Sequence, residues 1–181
     1  MSDYLQKYNQ WLSAPYIDSQ TKAELAVANE LADIEDRFYK DLEFGTGGLR
    51  GIMGAGTNRV NKYTIRKASY GLAKYILANF GDEGKVKGIV IAYDSRNHSP
   101  LFAKEAAQVF CAAGIKTFLF DEIQPTPMLS FAVRYLRCIA GVVVTASHNP
   151  KEYNGYKVYN QHGCQLVPRE ADQVIEFVKQ V

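Results

Sequence analysis

Three short apolar runs, at residues 88–93, 115–120 and 139–145, constrain this chain more than any other feature. Each reads as a buried strand, and helical patterns separate them. Ser99-Pro100 supplies a helix cap followed by a proline at the first helical position. Phe102, Ala106, Val109 and Phe110 then recur as a buried stripe, and Gly114 stops the helix. Thr126-Pro127 opens a further short helix through Met128, Phe131 and Tyr135. Strand–helix–strand–helix–strand at this spacing predicts an α/β fold: a three-layer α-β-α domain with a mostly parallel mixed sheet. Ligands of such sheets gather beyond the carboxyl ends of the strands.

On the N-terminal side, Tyr4, Leu5, Tyr8, Trp11 and Leu12 recur at helical spacing, and a second helical stretch covers roughly residues 21–39. A glycine-rich loop follows at residues 44–51, then a helix with Ile65, Ala68, Leu72, Tyr75 and Ile76 on one face, ending near Gly81. On the C-terminal side, residues 156–159 and 165–167 flank Asn160-Gln161-His162-Gly163 as a short hairpin. A last helix after Pro168 turns Ala171, Val174, Ile175 and Val178 inward. The expected organisation is one domain over residues 1–181, with a helical extension at 1–40 and an α/β core at 41–181.

Composition excludes several classes. A hydrophobic share of 47% is too high for disorder, and a formal charge of +2 argues against a general nucleic-acid surface. No apolar run approaches the roughly 20 residues needed to span a bilayer. The N-terminus lacks the basic-then-apolar pattern of a secretion signal. Cys111, Cys138 and Cys164 are far apart and odd in number, which fits free thiols in a reducing cytoplasm, expected as buried apolar fillers.

The chemistry centres on Thr145-Ala146-Ser147-His148-Asn149-Pro150. Ser147 lies just past a buried strand, with a chain-breaking Asn-Pro behind it. A serine so presented can become a nucleophile or a carrier of a phosphoryl group, given help. His148 is adjacent, but neighbours on extended chain point to opposite sides, so it is a doubtful base for Ser147. Lys157 lies further on and can fold back over the serine as a general acid/base if burial or nearby cations lower its pKa. Asn149 and Asn154 can hold the loop through side-chain to backbone hydrogen bonds. The glycine-rich loop reads either as a tight turn or as a cradle of backbone N–H groups for an anion. Arg50 at its end offers a cation able to grip phosphate. Asp94 and Arg96 read equally as an ion pair at a strand end or as substrate contacts. Two anion-suited loops and one acceptor serine together suggest phosphoryl transfer.

The motif at residues 145–150, with Tyr153-Asn154-Gly155-Tyr156-Lys157 after it, resembles the phosphoserine loop of the α-D-phosphohexomutases, which include phosphoglucomutases and phosphomannomutases. Phe44-Gly45-Thr46-Gly47-Gly48-Leu49-Arg50-Gly51 is similar to that family's N-terminal substrate-loop signature, and Tyr93-Asp94-Ser95-Arg96 matches a further element. The long helical N-terminus and the Gly-Thr-Gly-Gly form look most like the phosphoglucomutase branch that also holds phosphopentomutase-type enzymes. The resemblance implies the family's first domain and a cytoplasmic isomerase. It would interconvert glucose 1-phosphate and glucose 6-phosphate through a 1,6-bisphosphate. Ser147 would carry the phosphoryl group, Lys157 would act as general acid/base, Arg50 would support the transferring group and His148 would contact the site. Arg50, Ser147, Thr46 and Lys157 would meet the substrate. Mg²⁺ would bind through the phosphoryl oxygens on Ser147, and glucose 1,6-bisphosphate would act as activator.

Family members typically have four domains, and the family's Asp-rich metal loop, sugar loop and C-terminal phosphate loop have no counterpart in this sequence. The expectation is therefore a phosphoserine domain whose partners are a sugar phosphate and the missing domains of the same enzyme, with no nucleic acid and no membrane, and which is inactive alone. Alternatives are a phosphomannomutase, a phosphopentomutase or a non-catalytic sugar-phosphate-binding module. A serine hydrolase fits less well, because Ser147 lacks the Gly-x-Ser-x-Gly elbow.

Overall fold

The computed structural model describes residues 2–28, 30–45 and 47–181. The chain runs α1 (Asp3–Ser13), α2 (Ser19–Val27), α3 (Leu31–Phe38), β1 (Gly48–Ile52), α4 (Lys62–Lys87), β2 (Ile89–Tyr93), α5 (Ser99–Ala112), β3 (Thr117–Leu119), α6 (Thr126–Tyr135), β4 (Ala140–Val144), β5 (Tyr153–Asn160) and α7 (Pro168–Lys179). One sheet has the order β1-β5-β4-β2-β3. β2 pairs in parallel with β3 and β4, whereas β5 is antiparallel to both β4 and β1. Four strands therefore point one way and β5 alone opposes them, giving a mixed sheet.

Period-2 alternation sorts the helices into layers. Ile89 and Ile91 of β2, Val142 and Val144 of β4 and Tyr156 of β5 pack with Ile65, Leu72 and Ile76 of α4, Phe102 and Phe110 of α5 and Val174 of α7. Val90, Ala92 and Val143 join the other cluster, with Leu129, Ala132 and Val133 of α6. Burying each such aliphatic or aromatic side chain stabilises the fold by roughly 1.5–3 kcal/mol. A third cluster, Leu25, Ala28, Ile34, Phe38 and Ala55, ties α2 and α3 to the turn after β1. Trp11 closes it edge-on against Phe38 and Tyr63, with ring centroids 5.6 Å and 5.3 Å apart.

Several elements differ from the sequence reading. The run at 115–120, read as a buried strand, yields only the short β3, half-buried to exposed because it lies at the sheet's edge with a neighbour on one side. The stretch read as one helix over 21–39 is two, α2 and α3. The helix expected to end near Gly81 kinks there, where φ is 51°, and resumes to Lys87. Ser99 is the first residue of α5 rather than its cap; left-handed His98 precedes it, and the Ser99 hydroxyl turns inward to Asp94. On α6 the packed residues are Leu129, Ala132 and Val133, so Met128, Phe131 and Tyr135 lie on the exposed face. Of the three thiols only Cys138 is buried, and burial pushes its pKa up to about 11. Cys111 and Cys164 are exposed.

The largest difference is β1. The glycine-rich stretch read as loop becomes an edge strand from Gly48 onward, with Arg50 opposite Gly155 of β5. Glycine has low strand propensity, so only the pairing partner reveals it. The hairpin also moves. Its arms are β4 and β5, and the Ser147 loop at 145–152 is its turn. The expected second arm at 165–167 reduces to a single bridge from Gln165 to Tyr159.

Candidate active site

β4, the central strand, delivers Ser147 just past its carboxyl end and then stops. Thr145 and Ala146 are still buried, while Ser147 and His148 are exposed. The extended conformation assumed for this pair does not occur: Ser147 has φ of 55°, in the left-handed region. A short turn follows, closed by the Asn149 N–H donating to the Ala146 carbonyl at 3.1 Å. The Ser147 N–H donates to Thr145 Oγ1 at 3.0 Å.

Lys157 reaches Ser147 because β5 returns antiparallel beside β4, placing Lys157 opposite Val143. Its Nζ donates to Ser147 Oγ at 2.5 Å. Burial, and then the neighbouring Arg50 charge, hold the Lys157 pKa below the ordinary lysine value, with Asp94 opposing the shift. A lysine so placed is deprotonated more readily and can exchange a proton with a group on Ser147.

β1 supplies the third member. Arg50 Nη1 donates to Asn149 Oδ1 at 2.7 Å, joining the glycine-rich segment to the serine loop. Gly48 makes this approach possible. Its φ is 124°, and a Cβ there would lie 1.8 Å from the Tyr156 carbonyl oxygen. A cleft of ≈ 400 Å³ opens beside Arg50, lined among others by Lys40, Gly45, Gly48 and Tyr153. Thr46, expected at the substrate, lies outside the described residues.

Arg96 and Asp94 resolve as a bonded pair, 3.4 Å apart at Nε and Oδ2. The remaining guanidinium donors of Arg96 go to main-chain oxygens of the serine loop. Sequence reasoning left Arg96 open between an ion pair with Asp94 and a substrate contact; the ion pair forms, and the loop carbonyls it also serves are partners that no side-chain pattern marks. Asn154, expected to hold the serine loop, instead ties β5 to the turn after β2 and the start of α5, donating to the Asn97 carbonyl at 3.0 Å and to Ser99 Oγ at 2.9 Å. Asn149 instead accepts from Arg50. His148 stands exposed beside Ser147.

Lys157 on the exposed Ser147 hydroxyl, with the Arg50 charge beside that lysine, is an arrangement suited to a dianionic phosphoryl group, while Arg96 is spent on the loop's main chain. Among the described residues no three carboxylate, imidazole or thiol groups converge to hold a metal ion. Among the same residues, no helix is long and apolar enough to cross a membrane.

Comparison with known proteins follows the same residues. The family model for the phosphoglucomutase/phosphomannomutase alpha/beta/alpha domain I matches residues 41–181. The phosphoglucomutase of Staphylococcus saprophyticus is 38% identical over 178 residues, covering 98% of this chain and 30% of its own length. Human phosphopentomutase is 46% identical over 136 residues, covering 72% of this chain and 22% of its own. A solved Thermus thermophilus chain, described as a phosphomannomutase, aligns with a TM-score of 0.69 at 30% identity, over 77% of this chain and 30% of that one. The chain therefore spans about 30% of the length of the first of these relatives.

Proposed function

The chain belongs to the phosphoglucomutase/phosphomannomutase family as its domain I, and we propose that it is the phosphoserine-bearing part of a mutase acting on sugar phosphates. Glucose 1-phosphate and glucose 6-phosphate are the substrates favoured by the naming of the staphylococcal relative. The observation that carries the reading is the Lys157 Nζ to Ser147 Oγ contact of 2.5 Å inside a cationic site.

In this reading Ser147 begins as a phosphoserine. A sugar hydroxyl attacks the phosphorus, the bond from phosphorus to Ser147 Oγ breaks, and a sugar bisphosphate forms. Lys157, as the neutral amine, takes the proton of the attacking hydroxyl and passes it to the freed Ser147 Oγ. The bisphosphate turns over, Ser147 Oγ attacks its other phosphoryl group while Lys157 takes the serine proton, and Lys157 gives that proton to the freed sugar oxygen. Arg50 balances charge on the transferring group and His148 contacts the ligand from the exposed side. Thr46 would line the substrate.

Mg²⁺ would bind here through the phosphoryl oxygens on Ser147. The described side chains of this chain do not by themselves furnish a site for it, so further ligands would come from elsewhere. That shortage supports the reading that these residues are inactive alone, and the companion domains of a mutase are the partners proposed. A sugar 1,6-bisphosphate would serve as activator by restoring phosphoserine. Residues 1–40 are read as a helical extension of one domain with its core at 41–181, and three unpaired thiols support a cytoplasmic setting.

The decisive experiment is turnover of the full-length enzyme in a coupled assay with Mg²⁺ and glucose 1,6-bisphosphate. Ser147→Ala should abolish activity and phosphate incorporation, since no other acceptor replaces the hydroxyl. Normal turnover in that variant would end the proposal. A pentose-phosphate substrate is the second reading, favoured by the similarity to human phosphopentomutase. Comparing kcat/KM for hexose and pentose 1-phosphates separates the two.

A further inference from the structure

We propose that Arg96 is a positioning residue that shapes the Ser147 loop for phosphoryl transfer, through main-chain oxygens and without touching the reacting group. The inference rests on the reading of Ser147 as phosphoryl carrier. Arg96 lies in the turn after β2, where its own N–H donates to Asp94 Oδ1 at 3.0 Å. From there its guanidinium fans out under the loop. Nη2 donates to the carbonyls of Ser147 at 2.8 Å and Asn149 at 2.7 Å, and Nη1 to those of Pro150 at 2.9 Å and Tyr153 at 3.1 Å.

A loop between two strands leaves carbonyls without ladder partners, and these need donors or water. Here one cation gathers the loop carbonyls of Ser147, Asn149 and Pro150, the last shared with the Tyr153 N–H, and the carbonyl of Tyr153 at the start of β5, drawing the two ends of the loop together. Ser147 is held at a φ of 55°, a region that non-glycine residues keep only where their surroundings over-determine it. With the Ser147 carbonyl pulled down toward Arg96, its Oγ is left facing Lys157.

The base of the clamp is itself fixed. Asp94 faces Arg96 Nε and accepts from Ser99 Oγ at 2.8 Å, while Asn154 of β5 donates to the same Ser99 Oγ. The turn after β2, the start of α5 and β5 are thus joined behind the loop. Only a planar fork with five donors can serve these partners together; an ammonium at the same place has the charge without the geometry.

The test compares Arg96→Lys, which keeps the charge but not the fork, with Arg96→Met. Amide hydrogen exchange, thermal stability and the NMR titration of the Lys157 side chain are measured on this chain. Both variants should raise exchange at residues 146–153 by about tenfold or more, with the protection of α4 and β2 retained. The Lys157 pKa should move up toward the ordinary value in both, because the loop no longer buries its amine. Unchanged loop exchange and an unchanged Lys157 titration in Arg96→Lys would overturn the proposal. So would a uniform loss of protection across the fold with Lys157 titrating as before, which is the signature of a merely structural arginine. Should Arg96→Met not fold, Arg96→Lys carries the test alone. None of these readouts needs phosphate on Ser147, so the positioning role and the phosphoryl-carrier reading can fail independently.

Discussion

Arg50 and Asn149 meet at 2.7 Å across 99 residues of sequence. The contact joins edge strand β1 to the β4–β5 turn. It also places the Arg50 charge where it depresses the Lys157 pKa, an effect second to burial. A cation beside a lysine disfavours its protonated form, so the two basic groups are coupled through space.

Arg50→Gln should therefore raise the Lys157 pKa toward its ordinary value. Placing a phosphoryl group on Ser147 should raise it as well, because about two negative charges then sit against the ammonium. Side-chain NMR titration of Lys157 in the wild-type chain, the variant and a phosphoserine form measures both shifts. A downward movement in either case would contradict the arrangement.

The N-terminal helices depend on Asp18. Its burial opposes ionisation, but hydrogen bonds from Thr21, Tyr63 and Lys62 outweigh that and hold its pKa well below the usual carboxylate range. A carboxylate depressed on folding stabilises the protein fully above its unfolded pKa, and this stabilisation disappears as pH falls toward the folded value. Asp18→Asn should lower stability by about 1–2 kcal/mol near neutral pH and flatten the decline below about pH 5. Denaturant unfolding at several pH values, followed by Trp11 fluorescence, checks this.

Gly155 on β5 is hemmed in by backbone from both sides. A Cβ there would lie 2.7 Å from the Thr145 carbonyl oxygen and 2.8 Å from that of Leu49. Neither neighbour is a flexible side chain, so Gly155→Ala should destabilise the fold by about 3 kcal/mol, at the upper end of overpacking effects. Unfolding midpoints give the value, and a loss under about 0.5 kcal/mol, the range of ordinary surface substitutions, would show that β1 can move away.

Tyr156 is fully buried, and its hydroxyl bonds to Ser69 Oγ at 3.0 Å. Tyr156→Phe leaves the buried Ser69 hydroxyl without that partner and should cost about 1–3 kcal/mol. Adding Ser69→Ala should recover part of the loss, since removing both polar groups avoids the unpaired one. A double-mutant cycle on unfolding free energies reads the coupling.

Much of this molecule is legible in its residues. Apolar runs of strand length mark β2 and β4 because a strand packed on both sides must be apolar throughout, and both are buried at every residue. The stripe Ile65, Ala68, Leu72 and Ile76 marks α4 for the same reason at helical spacing. Ser147, Lys157 and Arg50 stand out because their side chains carry the chemistry itself, and the structure brings the three together.

Tertiary structure alone decided the rest. β1 is a strand only because β5 offers a hydrogen-bonding edge to a glycine-rich segment that has little strand preference of its own. The left-handed turn at Ser147 and the role of Arg96 depend on carbonyl oxygens, which every residue possesses and no residue type announces. Side-chain patterning thus specified which faces are buried and which groups can react. The pairing of main-chain polar groups, settled only when distant segments meet, fixed where those reactive groups point.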